Sequence, residues 1–321
     1  MSDNVRVLLV GPGAMGRAYT KVLLAQGVRP VVVGRGETNA KAFEEEFNIP
    51  VLCGGLDAAL KDLADIPSHA IVASTITDLA ANAVSLIKAG VKNVLVEKPA
   101  GINYAQVKLI EETARAFDAK VYVAYNRRFY AAVDRALEII REDGGVTSFN
   151  FEFTEWSDVC EKASARYDEE HRESWFIANS THVVDLAFFF GGEPAEISCY
   201  IKGALSWHKT GCIYAGAGVS KTGALFSYQA NWAAPGRWGV EVLTAKHRLY
   251  FRPMEKLAIQ ELNSVVVNSA DVDYTIDTEF KAGLFKQVES FLCDLNDGKK
   301  LLVGDHLRHM TAYAQMEHKA C

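Results

Sequence analysis

The chain has 321 residues, 49% of them hydrophobic, and its formal net charge at pH 7 is −6. This length predicts two domains, and the scattered charges exclude the basic surface that a nucleic acid or an anionic membrane would need. No apolar stretch is long enough to span a membrane, and the six cysteines show neither metal-ligand spacing nor a disulfide pattern. We therefore expect a cytoplasmic protein without a metal site, whose partners are small molecules.

The first predicted element is a strand at residues 5–10, which runs into a glycine turn and then into a helix that ends near Gln26. In such a unit the first glycine permits a tight turn, the second lets a pyrophosphate approach the backbone, and the third allows close helix–strand packing. Amides at the start of the helix then bind the anion. The residues predicted to hold the pyrophosphate are Gly11, Gly13, Ala14, Met15 and Gly16.

The second strand, residues 30–33, ends close to Arg35. A fold specific for NAD has an acidic residue at about this position, which bonds the adenosine ribose hydroxyls. A guanidinium can instead pair with the 2′-phosphate of NADP and stack on adenine, so NADP is the preferred cofactor. Glu37 lies two residues further on and could still accept a ribose hydroxyl, which keeps NAD as the alternative.

Strands and helices then alternate along the first third of the chain. Further strands are predicted near Val51 and at 70–73, 93–96 and 120–124. This alternation predicts a six-stranded, doubly wound parallel sheet, and thus a Rossmann dinucleotide-binding domain over residues 1–124. Ser74 and Thr75 follow a strand, where small hydroxyl residues let a nicotinamide ribose approach. Capping of the helix that starts at Asp78 explains them equally well.

The strand at 93–96 ends in Glu97, Lys98 and Pro99. A residue before proline is pushed out of the helical conformation, so Lys98 should stand extended at the carboxyl end of its strand, where open parallel sheets bind ligands. Oxidation of an alcohol leaves a proton to be removed, and burial beside an oxidised nicotinamide lowers the pKa of a lysine toward a useful value. Lys98 is therefore the candidate base, or the acid in the reverse direction. We expect Glu97 and Lys98 to contact the cofactor as well.

After residue 124 the pattern changes to the period-two runs that are typical of antiparallel strands. A polar stretch at 158–173 is expected to be mobile, and it precedes a helix at 181–190. Alternating runs fill the region from 196 to 251, and two helices close the chain. These features predict a second, α+β domain over residues 125–321, with a large and mostly antiparallel open sheet.

Four motifs are spread over nearly the whole chain: the glycine turn, Glu97-Lys98-Pro99, Asn126-Arg127-Arg128-Phe129 and His182-x-x-Asp185. With them the chain resembles the glucose–fructose oxidoreductase, inositol dehydrogenase and rhizopine-catabolism family (Gfo/Idh/MocA). The resemblance implies a nicotinamide-dependent oxidoreductase for an alcohol or ketone carbon of a sugar, cyclitol or sugar nucleotide. It also implies that Lys98 and His182 lie in the active-site cleft, and that the second-domain sheet forms the interface of a homodimer or homotetramer.

His182 is predicted near a helix start, where the helix dipole favours a neutral imidazole, and Asp185 follows one turn later as its expected partner. We therefore predict Lys98 and His182 as the acid/base pair. The residues predicted to bind the substrate are Asn126, Arg127, Asn179, Asp185 and Trp238.

Residues 232–238 are predicted to form a turn that carries a cation, Arg237, between two indoles, Trp232 and Trp238. This turn is the first candidate among the aromatic segments for contact with a sugar. Arg127 and Arg128 could meet an anionic group, although one of them is expected to be a structural ion-pair partner.

One position departs from the family pattern. Many members have an aspartate four residues before the histidine, whereas this chain has Ala178, which cannot ionise or orient a hydroxyl. Three consequences are open: Lys98 and His182 share the proton transfer, Asn179 or Ser180 orients the substrate, or catalysis is lost while cofactor binding remains. The first two together are preferred. The alternatives to a conventional dehydrogenase are a catalytically silent regulatory protein and an enzyme that keeps its cofactor and passes hydride between two substrates.

Overall fold

The computed structural model describes residues 5–319 of the protein, and these divide into two compact units. The first unit consists of the described residues up to Asn126 together with Ile276–Arg308. The second consists of Arg127–Thr275 and the described residues from His309 onward. Among residues 5–319 there is no helix with the length and apolar character that crossing a bilayer requires.

Residues 5–126 alternate between strands and helices. The strands are β1 (Val7–Val10), β2 (Val31–Val33), β3 (Val51–Leu52), β4 (His69–Val72), β5 (Asn93–Glu97) and β6 (Lys120–Ala124). The helices are α1 (Ala14–Ala25), α2 (Glu37–Phe47), α3 (Leu56–Asp62), α4 (Leu79–Lys88) and α5 (Tyr104–Ala116).

The middle of the chain contains four helices and eight strands. The helices are α6 (Ala131–Glu142), α7 (Ser157–Ser164), α8 (Glu169–Glu173) and α9 (Thr181–Gly191), and a π-helical turn at Phe176–Ser180 leads into α9. The strands are β7 (Ser148–Glu152), β8 (Pro194–Lys202), β9 (Ile213–Ser220), β10 (Leu225–Asn231), β11 (Gly239–Leu243), β12 (His247–Phe251), β13 (Ala258–Glu261) and β14 (Val267–Ser269). The polar stretch 158–173 thus contains helical structure, and the Asp168 side chain caps α8 by accepting from the His171 amide.

The end of the described chain is mostly helical. Its elements are α10 (Thr275–Glu279), α11 (Leu284–Leu292), β15 (Leu301–Leu302) and α12 (Val303–Met316).

The first unit is built on a parallel sheet with strand order β6-β5-β4-β1-β2-β3. All four residues of β1 are buried, because helices cover both faces of a doubly wound sheet. This confirms the predicted Rossmann architecture. The sheet has seven strands instead of the predicted six, since β15 adds an antiparallel edge next to β6.

The segment 276–308, which the predicted boundary assigns to the second domain, is part of the first unit. Leu284, Val288 and Phe291 of α11 are buried in the same apolar cluster as Tyr19 and Leu23 of α1. An amphipathic helix must bury its apolar face somewhere, and periodicity does not say which domain supplies the covering surface. The predicted boundary was drawn from the change in pattern at residue 124. Such a boundary cannot show that a later segment packs on a sheet 150 or more residues earlier in the chain.

The second unit is built on an eight-stranded sheet with the order β14-β13-β12-β11-β7-β10-β9-β8. All its neighbouring strands are antiparallel except β7 and β10, which confirms the predicted mostly antiparallel open sheet. Helix α9 covers one face, where the Phe188 ring lies edge-on to Phe149 and Phe226 at centroid distances of 6.0 and 5.3 Å. Tyr200 and Leu225 are exposed.

Candidate functional site

The glycine turn after β1 has the geometry of an anion-binding site. Gly11 has a φ of +104°, and a Cβ there would lie 2.6 Å from the Ala73 carbonyl oxygen. A Cβ at Gly16 would lie 1.9 Å from the Gly11 oxygen, so helix and turn are too close for any side chain. Gly13 is different, because its Cβ would meet nothing within 4 Å. The backbone at Gly13 is therefore open to a ligand.

The start of α1 at this turn offers uncompensated amides. Gly13 is the N-cap residue and has no capping side chain, and the first turn, which includes Ala14 and Met15, has no acidic residue. The first amides of a helix carry partial positive charge and bind phosphate when no side chain caps them. The five residues predicted to hold a pyrophosphate therefore fit that group.

Arg35, Ser74 and Thr75 follow strands β2 and β4 of the same sheet. The Arg35 guanidinium is largely exposed and lies 2.9 Å from the Asp78 carboxylate. The Thr75 hydroxyl also donates to Asp78, at 2.6 Å, and the Ser74 hydroxyl accepts from Asn82 at 3.0 Å. Arg35 thus keeps donors for a further anion, whereas the two hydroxyl residues have local partners around the start of α4.

The residues at the end of β5 combine a largely buried acid with the candidate catalytic lysine. The Tyr19 hydroxyl of α1 donates to Glu97 at 2.7 Å. Burial raises the pKa of Glu97, while the Tyr19 bond and the charges of Lys98 and Lys281 oppose this rise. Glu97, predicted as a cofactor contact, is thus held by a hydrogen bond from Tyr19 of the same unit. Its carboxylate anchors the strand end at which the half-buried Lys98 stands.

Asn126 and Asp185, both predicted to bind substrate, have structural partners. The Asn126 amide donates to the Ala282 carbonyl at 2.8 Å. The fully buried Asp185 carboxylate accepts two bonds from Arg128, at 2.8 and 2.7 Å. Arg128 is thus the structural member of the Arg127–Arg128 pair, and it binds the carboxylate that was predicted as the partner of His182.

A buried glutamate that the sequence did not single out organises the turn before His182. Glu155 is 1% exposed and accepts bonds from Ser180 at 2.7 Å and Asn179 at 3.0 Å. Arg237 reaches its other oxygen at 3.4 Å. Burial raises the pKa of Glu155, and the bonds from Ser180 and Asn179 and the charge of Arg237 counteract that rise. Asn179 and Ser180 are thus fixed by a carboxylate outside the histidine motif. This carboxylate belongs to Glu155 and not to position 178, where the chain has an alanine.

Trp238 lies beside three of the candidate residues. Its ring is 6.0 Å from the His182 ring, and the guanidinium carbons of Arg127 and Arg237 lie 5.0 and 4.3 Å from its centroid. The structure therefore brings together Arg127, Asn179, His182 and Trp238 through contacts inside the second unit.

Arg237 was predicted to lie between Trp232 and Trp238, and the prediction is wrong for Trp232. Arg237 lies between Trp238 and Trp156, whose centroid is 4.5 Å away. Trp232 is 1% exposed, donates to the Phe153 carbonyl at 3.2 Å and stacks on Trp207. Trp232 is therefore part of the core, because burial of its large apolar ring is favourable.

Strand pairing explains why these residues meet. Glu152 of β7 is opposite Gly239 of β11 in an antiparallel pair. The chain leaving β7 through Glu155 therefore runs beside the chain that enters β11 through Arg237. Among residues 5–319, no group of three or more His, Cys, Asp or Glu side chains could hold a metal ion.

Residues 5–125 match the family model described as an oxidoreductase family with an NAD-binding Rossmann fold, GFO_IDH_MocA. The dinucleotide-binding part of the chain thus matches the Gfo/Idh/MocA family model. This match confirms the predicted family resemblance and a nicotinamide-dependent oxidoreductase with an NAD-binding fold. No curated protein sequence gives a significant match to the chain.

Solved structures of oxidoreductases and dehydrogenases have the fold of the whole described chain. A putative NADPH-dependent oxidoreductase from Desulfitobacterium hafniense is 16% identical, with a TM-score of 0.79 over 99% of this chain and 97% of its own. An oxidoreductase from Agrobacterium radiobacter, solved with NAD⁺, L-tartaric acid and magnesium, is 15% identical, with a TM-score of 0.78 over 98% and 95%.

The WlbA dehydrogenase from Chromobacterium violaceum, solved with NADH and UDP-GlcNAcA, is 15% identical. Its TM-score is 0.74 over 100% of this chain and 95% of its own. At these identities the likeness establishes the two-unit fold, and the substrate has to be argued from this chain's residues.

Proposed function

We propose that the protein transfers a hydride between NAD(P) and an alcohol or ketone carbon of a carbohydrate-type substrate. The observation that carries the proposal is that the open glycine turn and Lys98 lie at the same end of the parallel sheet. The open turn at Gly13 follows β1, and Lys98 follows β5, two strands away in the order β5-β4-β1. Both stand at carboxyl ends of parallel strands, where open sheets bind their ligands.

NADP is the proposed preference, with NAD as the alternative. Arg35 supports it, because its exposed guanidinium follows β2, where the adenosine ribose lies in this type of fold. A 2′-phosphate would compete with Asp78 for this cation. The backbone at Gly11, Gly13 and Gly16 would hold the pyrophosphate through the uncapped amides of α1.

Lys98 and His182 are proposed as the acid/base residues. Bound NAD(P) supplies the hydride acceptor or donor. Lys98 takes the hydroxyl proton in oxidation, or donates a proton to the carbonyl oxygen in reduction. The turn that leads to His182 is fixed by Glu155 through Ser180 and Asn179, so the missing acid at position 178 does not leave this turn without support.

The carbohydrate-type substrate is supported by two observations. Several proteins of the same fold are sugar or sugar-nucleotide dehydrogenases, among them levoglucosan dehydrogenase, solved with L-sorbose, and a UDP-N-acetylglucosamine 3-dehydrogenase. In this chain, the half-exposed Trp156 and the polar groups around Trp238 suit a ring that has apolar faces and hydroxyl edges.

The test is a turnover assay in both directions. Purified protein is mixed with NADP or NAD, oxidised or reduced, and with a panel of sugars, cyclitols, sugar acids and sugar nucleotides, while the nicotinamide absorbance is followed. We expect turnover with at least one carbohydrate and a higher kcat/KM with NADP. Tight cofactor binding with no turnover on any member would favour a silent regulatory protein. Cofactor that co-purifies without exchange would favour hydride transfer between two substrates.

A further inference from the structure

Arg237 in the second unit uses little of its hydrogen-bonding capacity within the protein. Among residues 5–319 its hydrogen bond is to Glu155, at 3.4 Å, although a guanidinium has five N–H donors. Its side chain is 43% exposed. Most of its donors are therefore open to solvent.

The guanidinium is nevertheless held in a defined position. Two indole rings lie against it, with centroids 4.5 Å (Trp156) and 4.3 Å (Trp238) from the guanidinium carbon. Trp156 is itself fixed, because its indole nitrogen donates to the Gly236 carbonyl at 3.1 Å. Because the two indoles restrict the guanidinium, little side-chain entropy is left to lose when its N–H groups bind a ligand.

The position of this edge relates it to the proposed acid/base residue. The Trp238 ring that covers Arg237 also contacts the His182 ring. A substrate group bound at Arg237 would thus lie one indole away from His182, within the span of a sugar ring and its substituent.

We propose that Arg237 binds an anionic group, a carboxylate or a phosphate, on the carbohydrate-type substrate, and that the protein therefore selects anionic sugars over neutral ones. A guanidinium recognises both groups through two parallel N–H···O bonds, which neither a lysine nor a hydroxyl residue can reproduce. The half-exposed Trp156 adds an apolar face for the sugar ring. The carbohydrate part of this substrate class rests on the proposed function; the anionic part rests on Arg237.

The test measures binding without turnover. Calorimetry is done on the full chain with glucuronate, galacturonate and glucose 6-phosphate, and with glucose and galactose as their neutral counterparts. We expect at least one anionic sugar to bind more tightly than its neutral counterpart. Arg237→Met should weaken that binding about 10- to 100-fold, the range for a hydrogen bond to a charged group, and leave neutral sugars unaffected. The uronates and the phosphate separate carboxylate from phosphate recognition.

Arg248→Met is the matched control. Arg248 is also half-exposed and lies over an aromatic ring, that of Tyr250, but it directs both its Nε and an Nη to Glu241. Its loss should not change sugar binding. Arg237→Lys keeps the charge and loses the two-point contact, so it should give an intermediate affinity.

Two binding results would overturn the proposal: no anionic sugar binds more tightly than its neutral counterpart, or Arg237→Met binds it as the wild type does. A third result, turnover of neutral sugars alone, would overturn it and leave the proposed function standing. Binding of anionic sugars without turnover would do the reverse.

Discussion

The second unit contains two buried carboxylates that face an arginine, and they are compensated in opposite ways. Asp185 accepts two short bonds from Arg128, whose side chain is only 6% exposed. Glu155 meets Arg237 through one contact of 3.4 Å, and it also accepts hydrogen bonds from neutral groups on Ser180, Asn179 and Cys160. The first pair is closed to solvent on both sides, whereas the second is open on the arginine side.

The difference separates a charge that holds the fold from a charge that is available to a ligand. Because Asp185 and Arg128 satisfy each other, removing either leaves an isolated buried charge. Glu155 keeps the hydrogen bonds from Ser180 and Asn179 without Arg237, and burial raises the pKa of its carboxyl group. The sequence ranked the turn with Arg237 first for contact with a sugar and left open which of Arg127 and Arg128 is structural; the geometry assigns the structural role to Arg128.

The largest predicted effect is on stability. Arg128→Met should lower the free energy of unfolding by about 3–5 kcal/mol, because it strands the Asp185 carboxylate in the interior. Arg237→Met should lower the free energy of unfolding by at most about 1 kcal/mol, because Arg237 is half-exposed and solvent screens its contact with Glu155. Urea denaturation followed by circular dichroism measures both.

Equal losses in the two variants would break the distinction between a closed and an open pair. A larger loss for Arg237→Met would assign it a structural role and remove the basis for ligand recognition there.

A smaller effect is predicted at a third arginine–carboxylate pair, Arg35 and Asp78 of the first unit, which is more exposed still. Arg35→Ala should leave stability nearly unchanged, because exposed pairs contribute little. It should weaken NADP about tenfold while NAD binding stays the same, since only NADP has the 2′-phosphate. Titration with each cofactor measures this ratio, and equal weakening of both would refute phosphate recognition by Arg35.

The sequence was most informative about the first unit. Glycine spacing, buried apolar runs and strand–helix alternation are local signals, and they predicted six strands, their parallel pairing and the turn at Gly11–Gly16. They did not reveal that α11 and β15 join this unit, because that depends on which apolar surface is left uncovered after folding. In the second unit, β13 and β14 were not predicted, because these strands are short and mostly polar and lack a clear period-two pattern.

Prediction of the candidate site was limited by long-range pairing. His182, Asn179 and Trp238 could be selected from motifs and residue type, and the structure brings them together. Glu155 could not, because it is a single acid after a strand, and its importance comes from a π-helical turn 24 or 25 residues later. Helical spacing predicted Asp185 as the partner of His182, but it could not predict that Arg128, from another element, also binds this buried carboxylate through two hydrogen bonds.

The most direct test of the account is the behaviour of Lys98→Met toward cofactor and substrate measured side by side. On any substrate that the wild type turns over, we predict that kcat falls about 100- to 10,000-fold, the contribution of a positioned acid/base group, while calorimetry shows NADP still bound at the Gly11–Gly16 turn. Turnover at the wild-type rate in Lys98→Met would contradict the proposed role of the lysine at the end of β5.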